Sequence, residues 1–509
     1  MFRCLIVIIL MLAITGTTAI STANGQTAAR DGSTDWAATF RDDLQAARRV
    51  ILENHPGPVD TVNPGFVDWL DTGYKQQMAL AESISTADEY VYAMRKFIAG
   101  FRDGHLNIRF DIDRGPPRWA GFFTTWRNGM VVVHSVDPAV ASELSVGDQL
   151  RSCDGHPAEQ LITQRVFDFQ YDPALPANWV PAAARAFVDL GNPFVGVPGR
   201  CVFVHDNQEI ALDLEWREFS WDSVMDDYNA ASGRTRPEIG LTEPETGVYW
   251  LQASTFGPNE AQVARYEDAF RQLREARATA KLVVLDLRGN NGGSSMWADL
   301  FAEALWDASP NDNEEGSEFV EWRVSEGNIA YWETVPSILR KQFGDSHSSI
   351  DWSNHILRNL AASLKEGQDL WRETPVDDNQ ERKDVSTAEK SSQATPKYTR
   401  TVVVLTDTSC ASACLDAMSL LTDIPAVIHV GSVTAADTQY MEVRPAPLPS
   451  GHATLNIPIK VYRGRERPDG GYFTPEYPFN GLHWTDEAVR DWVLGLWRNG
   501  ALRTSEDLH

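Results

Sequence analysis

The sequence predicts an α/β protein in which buried strands run into polar turns that are followed by helices. Two such units carry this prediction. The first joins the apolar run 282–285 to the glycine-rich segment 286–293, with a helical pattern behind it. The second joins the apolar run 402–405 to a polar turn that contains Ser412. Apolar strands followed by helices of period 3.6 are typical of a sheet covered by helices.

The composition excludes some function classes. The chain has 509 residues, of which 43% are hydrophobic, so it can bury several cores. Its formal net charge of -26 repels nucleic acid and anionic membranes, and we expect neither as a partner. An acidic surface that selects no ligand is the simpler interpretation of the charge itself.

Residues 1–29 are typical of a signal peptide. Arg3 precedes an apolar run from Leu5 to Ile14, and small residues follow between Thr18 and Ala29. The run is too short for a good membrane span, and no later segment reaches about 20 apolar residues. We therefore expect a periplasmic or secreted protein from which this segment has been removed.

Four cysteines remain after removal of Cys4. An even number is expected in an oxidising compartment. Three pairings are possible, and Cys153–Cys201 with Cys410–Cys414 is the most local of them, although the sequence does not decide. Because the chain has no CxxC, HExxH or His-rich spacing, we expect no metal and no cofactor.

Residues 30–110 are predicted to form a helical N-terminal region. Apolar residues recur at helical spacing from Trp36 to Ile51, and the segment 55–58, HPGP, ends that pattern. Another helix begins at Thr86, because Glu89 three residues later completes a capping box. The region closes with the segment 101–105, FRDGH.

Residues 111–218 are rich in strand patterns. A valine run at 131–133, a Gly-Asp turn at 147–148 and alternation from Ile210 to Leu214 follow one another. This order resembles a PDZ domain inserted into the chain. The resemblance implies that Gly121, Phe122 and Phe123 form a loop that binds a peptide carboxylate. A packing module without a peptide site is the alternative.

Residues 219–509 return to alternating strands and helices. A strand is predicted at 248–251, a helix at 263–273, and a further strand at 427–430 before Gly431. The stretch 374–397 is polar and lacks apolar periodicity, so a mobile insertion is predicted there.

Ser412 is the predicted nucleophile. Backbone N–H groups at a strand-to-helix turn have no internal partner and suit a developing oxyanion. Serine is also a favoured N-cap, so Ser412 could simply cap its helix. A nucleophile that converges with a glycine-rich turn is the arrangement that acyl transfer needs.

The segment 286–293, DLRGNNGG, resembles the DLRGNxGG signature of the tail-specific, C-terminal-processing and tricorn-core serine peptidases. Ser412 and Ala413 fall where that family has S-A-x-E, Gly431 matches a glycine of the family's next strand end, and FRDGH resembles its DGH element. The resemblance implies a crotonase-like ββα core over 219–509, with Ser412 as nucleophile. It also assigns the N–H groups of Gly292, Gly293 and Ala413 to the oxyanion hole.

The chain departs from the tail-specific branch at the base. Asp437 stands where that branch has a lysine, and Leu415 replaces its glutamate, so a Ser–Lys dyad is excluded at that position. The tricorn-core branch uses the histidine of the DGH element, which is His105 here. Asp437 could orient His105 or hold a substrate amine, and Asp423 matches another acidic position of the family.

We therefore expect an exported serine peptidase that cleaves peptides or unfolded proteins, with His105 as general base. Two alternatives stay open. An esterase could use the same core on small acyl compounds, and a catalytically silent protein could use it only to bind peptides.

Overall fold

The computed structural model describes residues 34–306, 318–345, 347–374 and 400–502. The predicted signal peptide lies outside these ranges. The predicted insertion at 374–397 also lies outside them, apart from its first residue.

The N-terminal region is helical, as predicted. Its helices are α1 (Trp36–Asn54), α2 (Gly65–Met78) and α3 (Ala87–Ala99). Helix α1 ends directly before His55, and α3 begins with the predicted capping box between Thr86 and Glu89. Helix α2 adds to the helices predicted from the sequence.

These helices pack on an antiparallel sheet that comes mostly from the C-terminal half. Its strands are β1 (Asn107–Phe110), β14 (Phe319–Arg323), β15 (Leu370–Arg372), β18 (Tyr440–Pro447) and β19 (Ala453–Arg463). The order is β1-β19-β14-β15, with β18 also paired to β19. Helices α9 (Glu326–Phe343) and α10 (Ser348–Lys365) complete this layer. One apolar core joins all of them, so the segment before residue 110 does not have a core of its own.

The region after β1, residues 111–218, is rich in strands, as predicted. We call it the β-rich region. Its main sheet has the order β3-β4-β5-β8-β9, with β6 beside β5, and a small sheet has the order β10-β2-β7. These strands are β2 (Arg118–Trp119), β3 (Phe122–Arg127), β4 (Met130–Val136), β5 (Gln149–Cys153), β6 (His156–Pro157), β7 (Val188–Asp189), β8 (Arg200–His205), β9 (Gln208–Asp213) and β10 (Arg217–Glu218). Helices α4 (Ala158–Ile162) and α5 (Trp179–Arg185) lie between them in the chain. A disulfide joins Cys153 to Cys201 across the paired strands β5 and β8, which confirms the more local pairing.

The site depends on a third sheet, of order β11-β12-β13-β16-β17-β20. Its strands are β11 (Gly240–Glu245), β12 (Val248–Gln252), β13 (Leu282–Asp286), β16 (Val402–Thr406), β17 (Val427–Gly431) and β20 (Tyr477–Pro478). Strands β12 to β20 run parallel along this order. Strands β13, β16 and β17 are buried along their whole length, which explains their continuous apolar sequences.

Helices cover both faces of this sheet. Helices α7 (Glu260–Ala276), α8 (Met296–Trp306) and α11 (Ala413–Thr422) pack on one face, and α12 (Asp486–Arg498) packs on the other. Helix α6 (Trp221–Ala231) precedes β11 and contacts the β-rich region through Tyr228. Because β13 and β16 are adjacent and parallel, the turns that follow them meet at one edge of the sheet.

Candidate active site

The two predicted turns lie against each other. The N–H of Gly289 donates to Asp407 Oδ2 at 2.9 Å, and the N–H of Ala411 donates to the Asn290 carbonyl at 3.3 Å. Gly292 has a φ of +102°, and a Cβ built there would lie 2.8 Å from Ser412 Cβ. A side chain at position 292 would therefore displace the serine, so the close approach requires glycine.

Ser412 has a backbone conformation that is uncommon for a residue with a side chain. It precedes α11 with φ 55° and ψ -124°, and its side chain makes no cap hydrogen bond. The simple role of a helix cap is therefore not the one observed. The second disulfide, Cys410–Cys414, closes a short loop around the serine. Strained backbone of this kind is concentrated at functional sites, where the surrounding structure enforces it.

The three predicted oxyanion donors differ in availability. The N–H of Gly292 already donates to Asn290 Oδ1 at 2.9 Å, so it is not free to bind a substrate oxygen in this conformation. The N–H groups of Gly293 and Ala413 have no acceptor within the described ranges. Gly293 is fixed beside Phe256, since Phe256 donates to the carbonyl of residue 292 and accepts from the N–H of residue 294.

His105 lies in the loop that follows α3. Its side chain is 21% exposed, and its Nδ1 is buried without a hydrogen-bond partner. The backbone N–H of His105 donates to Asp103 Oδ1 at 2.9 Å, and the ring Nδ1 of His105 lies 3.8 Å from the same oxygen. Asp103 therefore shapes the loop and also faces the imidazole ring.

Asp103 is the centre of a buried network that extends to a second histidine. Thr438 Oγ1 donates to Asp103 Oδ1 at 3.0 Å, and His55 Nε2 lies 3.7 Å from Oδ2. His55 accepts the Gly57 N–H on Nδ1, so its proton is on Nε2 and points toward the carboxylate. Burial opposes ionisation of Asp103, but His55 and His105 hold its pKa below the ordinary value. Burial lowers the pKa of His55.

Asp437 is connected to both the nucleophile helix and the histidine loop. Its Oδ1 pairs with Arg467, while its Oδ2 is buried without a partner. Burial raises the pKa of Asp437, whereas Arg467 and His105 act in the opposite direction. Arg467 also binds Asp416 at 3.1 Å, in the first turn of α11. The Asp416 N–H donates to the Ser412 carbonyl at 3.3 Å, so these ion pairs connect the serine to Asp437.

Asp423 does not join this network. It is exposed and forms the C-cap of α11, at the opposite end of the ten-residue helix from Ser412. A helix of this length separates the two by about 15 Å. The sequence offset placed Asp423 near the serine only along the chain, and the helical conformation separates them.

The predicted peptide-binding loop is a buried strand. The rings of Phe122 and Phe123 are fully buried, and both residues pair with β4. Gly121 is buried as well, beside Val140. In this conformation the two rings pack in the core and are not available to a peptide. The binding loop was predicted from the position of this segment in the PDZ-like order, and the apolar character of its side chains is explained by packing.

Asp407 joins the two turns and was not among the predicted site residues. Its Oδ2 accepts the Gly289 N–H, and its Oδ1 accepts the Ser409 N–H at 2.9 Å. Burial raises the pKa of Asp407 to about 7, against the effect of these donors and of Arg288. Its position directly after a buried strand, in the turn that carries the serine, is the signal that could have identified it.

The described ranges contain no group of three or more His, Cys, Asp or Glu side chains placed to hold a metal ion. None of the helices in these ranges combines the length and the hydropathy that crossing a membrane requires.

Comparisons with known proteins agree with this arrangement. Residues 250–472 match the model of peptidase family S41. The structure is similar to mature CPAF, with a TM-score of 0.62 and 13% identity over 92% of this chain and 97% of that one. It is also similar to mature CPAF complexed with lactacystin, with a TM-score of 0.60 and 14% identity over 92% and 98% of the two chains. No protein with a curated description matches significantly.

At this identity the solved structures establish a shared fold, while the family match covers both turns. Peptidases of this family are serine-type hydrolases. The segment 250–472, which carries both turns, matches peptidase family S41, the tail-specific protease family that the two turns resemble.

Proposed function

We propose that this chain is an exported serine peptidase that hydrolyses peptides or unfolded proteins through an acyl-enzyme, with Ser412 as nucleophile and His105 as general base. The observation that carries the proposal is the conformation of Ser412. It is held at the start of a helix with its hydroxyl uncommitted to a cap, beside the unpaired N–H groups of Gly293 and Ala413.

The proposed reaction assigns a role to each of these groups. His105 takes the proton of Ser412 as the hydroxyl attacks the substrate carbonyl. The N–H groups of Gly293 and Ala413 stabilise the oxyanion, which is worth several kcal/mol in similar sites. His105 then protonates the leaving amine, and water attacks the acyl-enzyme with the same histidine as base.

The base is proposed to be a histidine because the residue at the lysine position is an acid. Asp437 is buried and its Oδ1 is paired with Arg467, so the proposal assigns it to the support of the base and not to the base itself. Instead, Asp437 and Asp103 both lie within electrostatic range of His105. Their carboxylates would stabilise the imidazolium that forms when the proton is transferred.

Export is supported by the signal-like segment of the sequence and by the two disulfides of the structure. Both disulfides join cysteines that follow the signal-like segment, and disulfides persist mainly in oxidising compartments. The substrate class rests on the family, and the β-rich region is proposed to hold the substrate chain. Strands β3 and β9 lie at the two ends of its main sheet, and a peptide could add to an end strand.

The test is replacement of Ser412 by alanine, followed by assays of peptide and ester hydrolysis. We expect a loss on the order of 10³-fold or more in peptide hydrolysis, together with loss of labelling by a fluorophosphonate. A histidine base also predicts a rate that rises between about pH 5 and 8, where histidine side chains change charge.

Ser419→Ala is the matched control, because Ser419 lies in the same helix with its hydroxyl bonded to the Leu415 carbonyl. It should retain activity. Turnover of esters without peptides would favour the esterase, and peptide binding without labelling would favour a silent binding protein. A rate that still climbs above about pH 9 would contradict the histidine base.

A further inference from the structure

A concave pocket between the N-terminal helices and the β-rich region is lined by three arginines. Arg95 comes from α3, Arg165 lies just after α4, and Arg185 ends α5. We call this concavity the arginine pocket. It encloses about 370 Å³, including the solvent at its mouth. Such a concentration of positive charge is unexpected in a chain with a net charge of -26.

The three guanidinium groups have no carboxylate within ion-pair distance among the described residues. Arg165 donates to the carbonyls of Ala186 and Gly196, and Arg185 donates to the carbonyl of Val188. Arg95 makes no hydrogen bond within these ranges. Its guanidinium lies 5.3 Å from the ring centroid of Tyr92 and 5.7 Å from that of Phe110.

Asp189, the acidic residue of the lining, acts on Arg165 through its charge but forms no ion pair with any of the three arginines. Asp189 is already paired with Arg118 at 2.6 Å, and its other oxygen accepts the Gly191 N–H. Burial lowers the pKa of Arg95 to about 10, and the positive charge of Arg185 acts in the same direction. Burial also lowers the pKa of Arg165 to about 10, while Asp189 acts in the opposite direction and Arg185 in the same one. Arg185 thus makes the charged forms of Arg95 and Arg165 less favourable.

The lining also offers an unused neutral donor. Asn192 Oδ1 accepts the Phe194 N–H at 3.0 Å, which fixes the orientation of the amide. Its Nδ2 is buried and has no partner in the described part of the chain. Guanidinium forks and amide N–H groups are the donors that carboxylate and phosphate oxygens prefer.

We propose that the arginine pocket binds a small oxyanion group, a carboxylate or a phosphate, between Arg95, Arg165 and Arg185. The ligand would supply the ion-pair partner that the three arginines lack among the described residues and would accept from the free donors of Arg95 and Asn192. This pocket lies apart from Ser412, and the proposal does not depend on the peptidase function.

The experiment measures thermal unfolding of the full chain with inorganic phosphate and, separately, with acetate, at an ionic strength held constant with chloride. A specific ligand raises Tm in a saturable way by mass action. We expect such a rise with at least one anion, and an affinity about tenfold or more weaker in Arg95→Gln and Arg185→Gln. Arg151→Gln is the control, because Arg151 is an exposed arginine of the β-rich region paired with Glu209.

The two anions distinguish between a phosphate and a carboxylate as the group that the pocket binds. A response to phosphate alone assigns a phosphate group, a response to acetate alone assigns a carboxylate, and a response to both supports the shared chemistry. The absence of a saturable response in the wild type, or equal responses in the wild type and the two pocket variants, would overturn the proposal. If Arg95→Gln does not fold, Arg95→Lys and Arg185→Gln carry the comparison.

Discussion

Four buried polar atoms around the histidine loop have no hydrogen-bond partner within the described residues. They are His55 Nε2, Asp103 Oδ2, His105 Nδ1 and Asp437 Oδ2. Leaving such an atom unpaired costs about 1–3 kcal/mol, and native proteins contain few of them. Two of these atoms, His55 Nε2 and Asp103 Oδ2, face each other at 3.7 Å, and the concentration of such atoms beside His105 is what its proposed role as general base predicts.

At the residue scale, we predict that Asp103→Asn lowers kcat/KM for peptide hydrolysis by about 100-fold or more. The amide keeps the size of the carboxylate but cannot stabilise a positive charge on His105 during proton transfer. Steady-state kinetics check this, together with a denaturant unfolding curve to establish that the fold is kept.

Asp111→Asn is the control, because Asp111 is exposed and follows β1 in the same stretch of chain. Activity of the Asp103 variant equal to that of this control would contradict a role for Asp103 beside the base.

The motif residues of the site could be predicted from the sequence, but their partners could not. Gly292, Gly293 and Ser412 belong to local patterns in which a strand, a turn and a helix follow one another within a few residues. The contact of Asp103 with Thr438, by contrast, joins positions 335 residues apart. Periodicity carries no information about such a pair, so the buried network behind His105 emerges only from the fold.

At the scale of elements, Asp407 connects the turn after β13 to the turn after β16. We predict that Asp407→Asn lowers activity by about tenfold or more, because an amide oxygen can accept only one of the two N–H groups well. The two turns would then no longer be held against each other, and the N–H groups proposed to bind the oxyanion would be displaced.

The same variant tests the pKa of Asp407, which burial raises to about 7. A carboxyl whose pKa is higher in the folded state stabilises the fold below its unfolded pKa, and this contribution is lost as pH rises through about 7. The stability advantage of the wild type over Asp407→Asn should therefore shrink between about pH 4 and 7, by up to about 4 kcal/mol. A pH-independent difference in unfolding free energy would contradict this.

The two disulfides are predicted to have different roles. Cys153–Cys201 closes a separation of 48 residues and Cys410–Cys414 one of 4. By chain entropy, replacing the first pair with alanine costs about 4 kcal/mol of stability, and replacing the second costs about 2 kcal/mol. The second pair surrounds Ser412, so its loss should reduce kcat by about tenfold or more.

Unfolding curves and peptide kinetics of the two double variants check this contrast. Each variant serves as the control for the other. Equal activity in both would show that the disulfide around Ser412 does not hold the backbone of the nucleophile.

At the scale of the whole molecule, the regions predicted along the sequence correspond only partly to separate hydrophobic cores. The β-rich region has its own core, and the parallel sheet has one on each face. The N-terminal helices, however, share a core with strands β14 and β19. The sequence predicted α1 and α3 but not α2. The pairing of β1 with β19 joins distant parts of the chain, and a local pattern cannot reveal it.

Buried histidines couple the stability of these parts to pH. His429 lies in β17 of the parallel sheet, and His134 lies in β4 of the β-rich region with its ring 4.7 Å from that of His483. Burial lowers the pKa of each of them to about 4, and at His134 the nearby His483 and Arg127 add to the effect. Both side chains are therefore neutral in the folded protein at pH 6.

This arrangement predicts destabilisation by acid. Between about pH 6.5 and 4 the unfolded chain binds protons on these histidines that the folded chain does not bind, so the unfolding free energy falls as pH falls. Each histidine contributes up to about 3 kcal/mol to this loss. His134→Gln and His429→Gln should each flatten the pH dependence of denaturant unfolding, while His156→Gln, at an exposed position, should leave it unchanged.

Parallel curves for all three variants and the wild type would mean that other groups govern acid unfolding. A change confined to His134→Gln would place the acid sensitivity at its contact with His483, between the β-rich region and the segment that precedes α12.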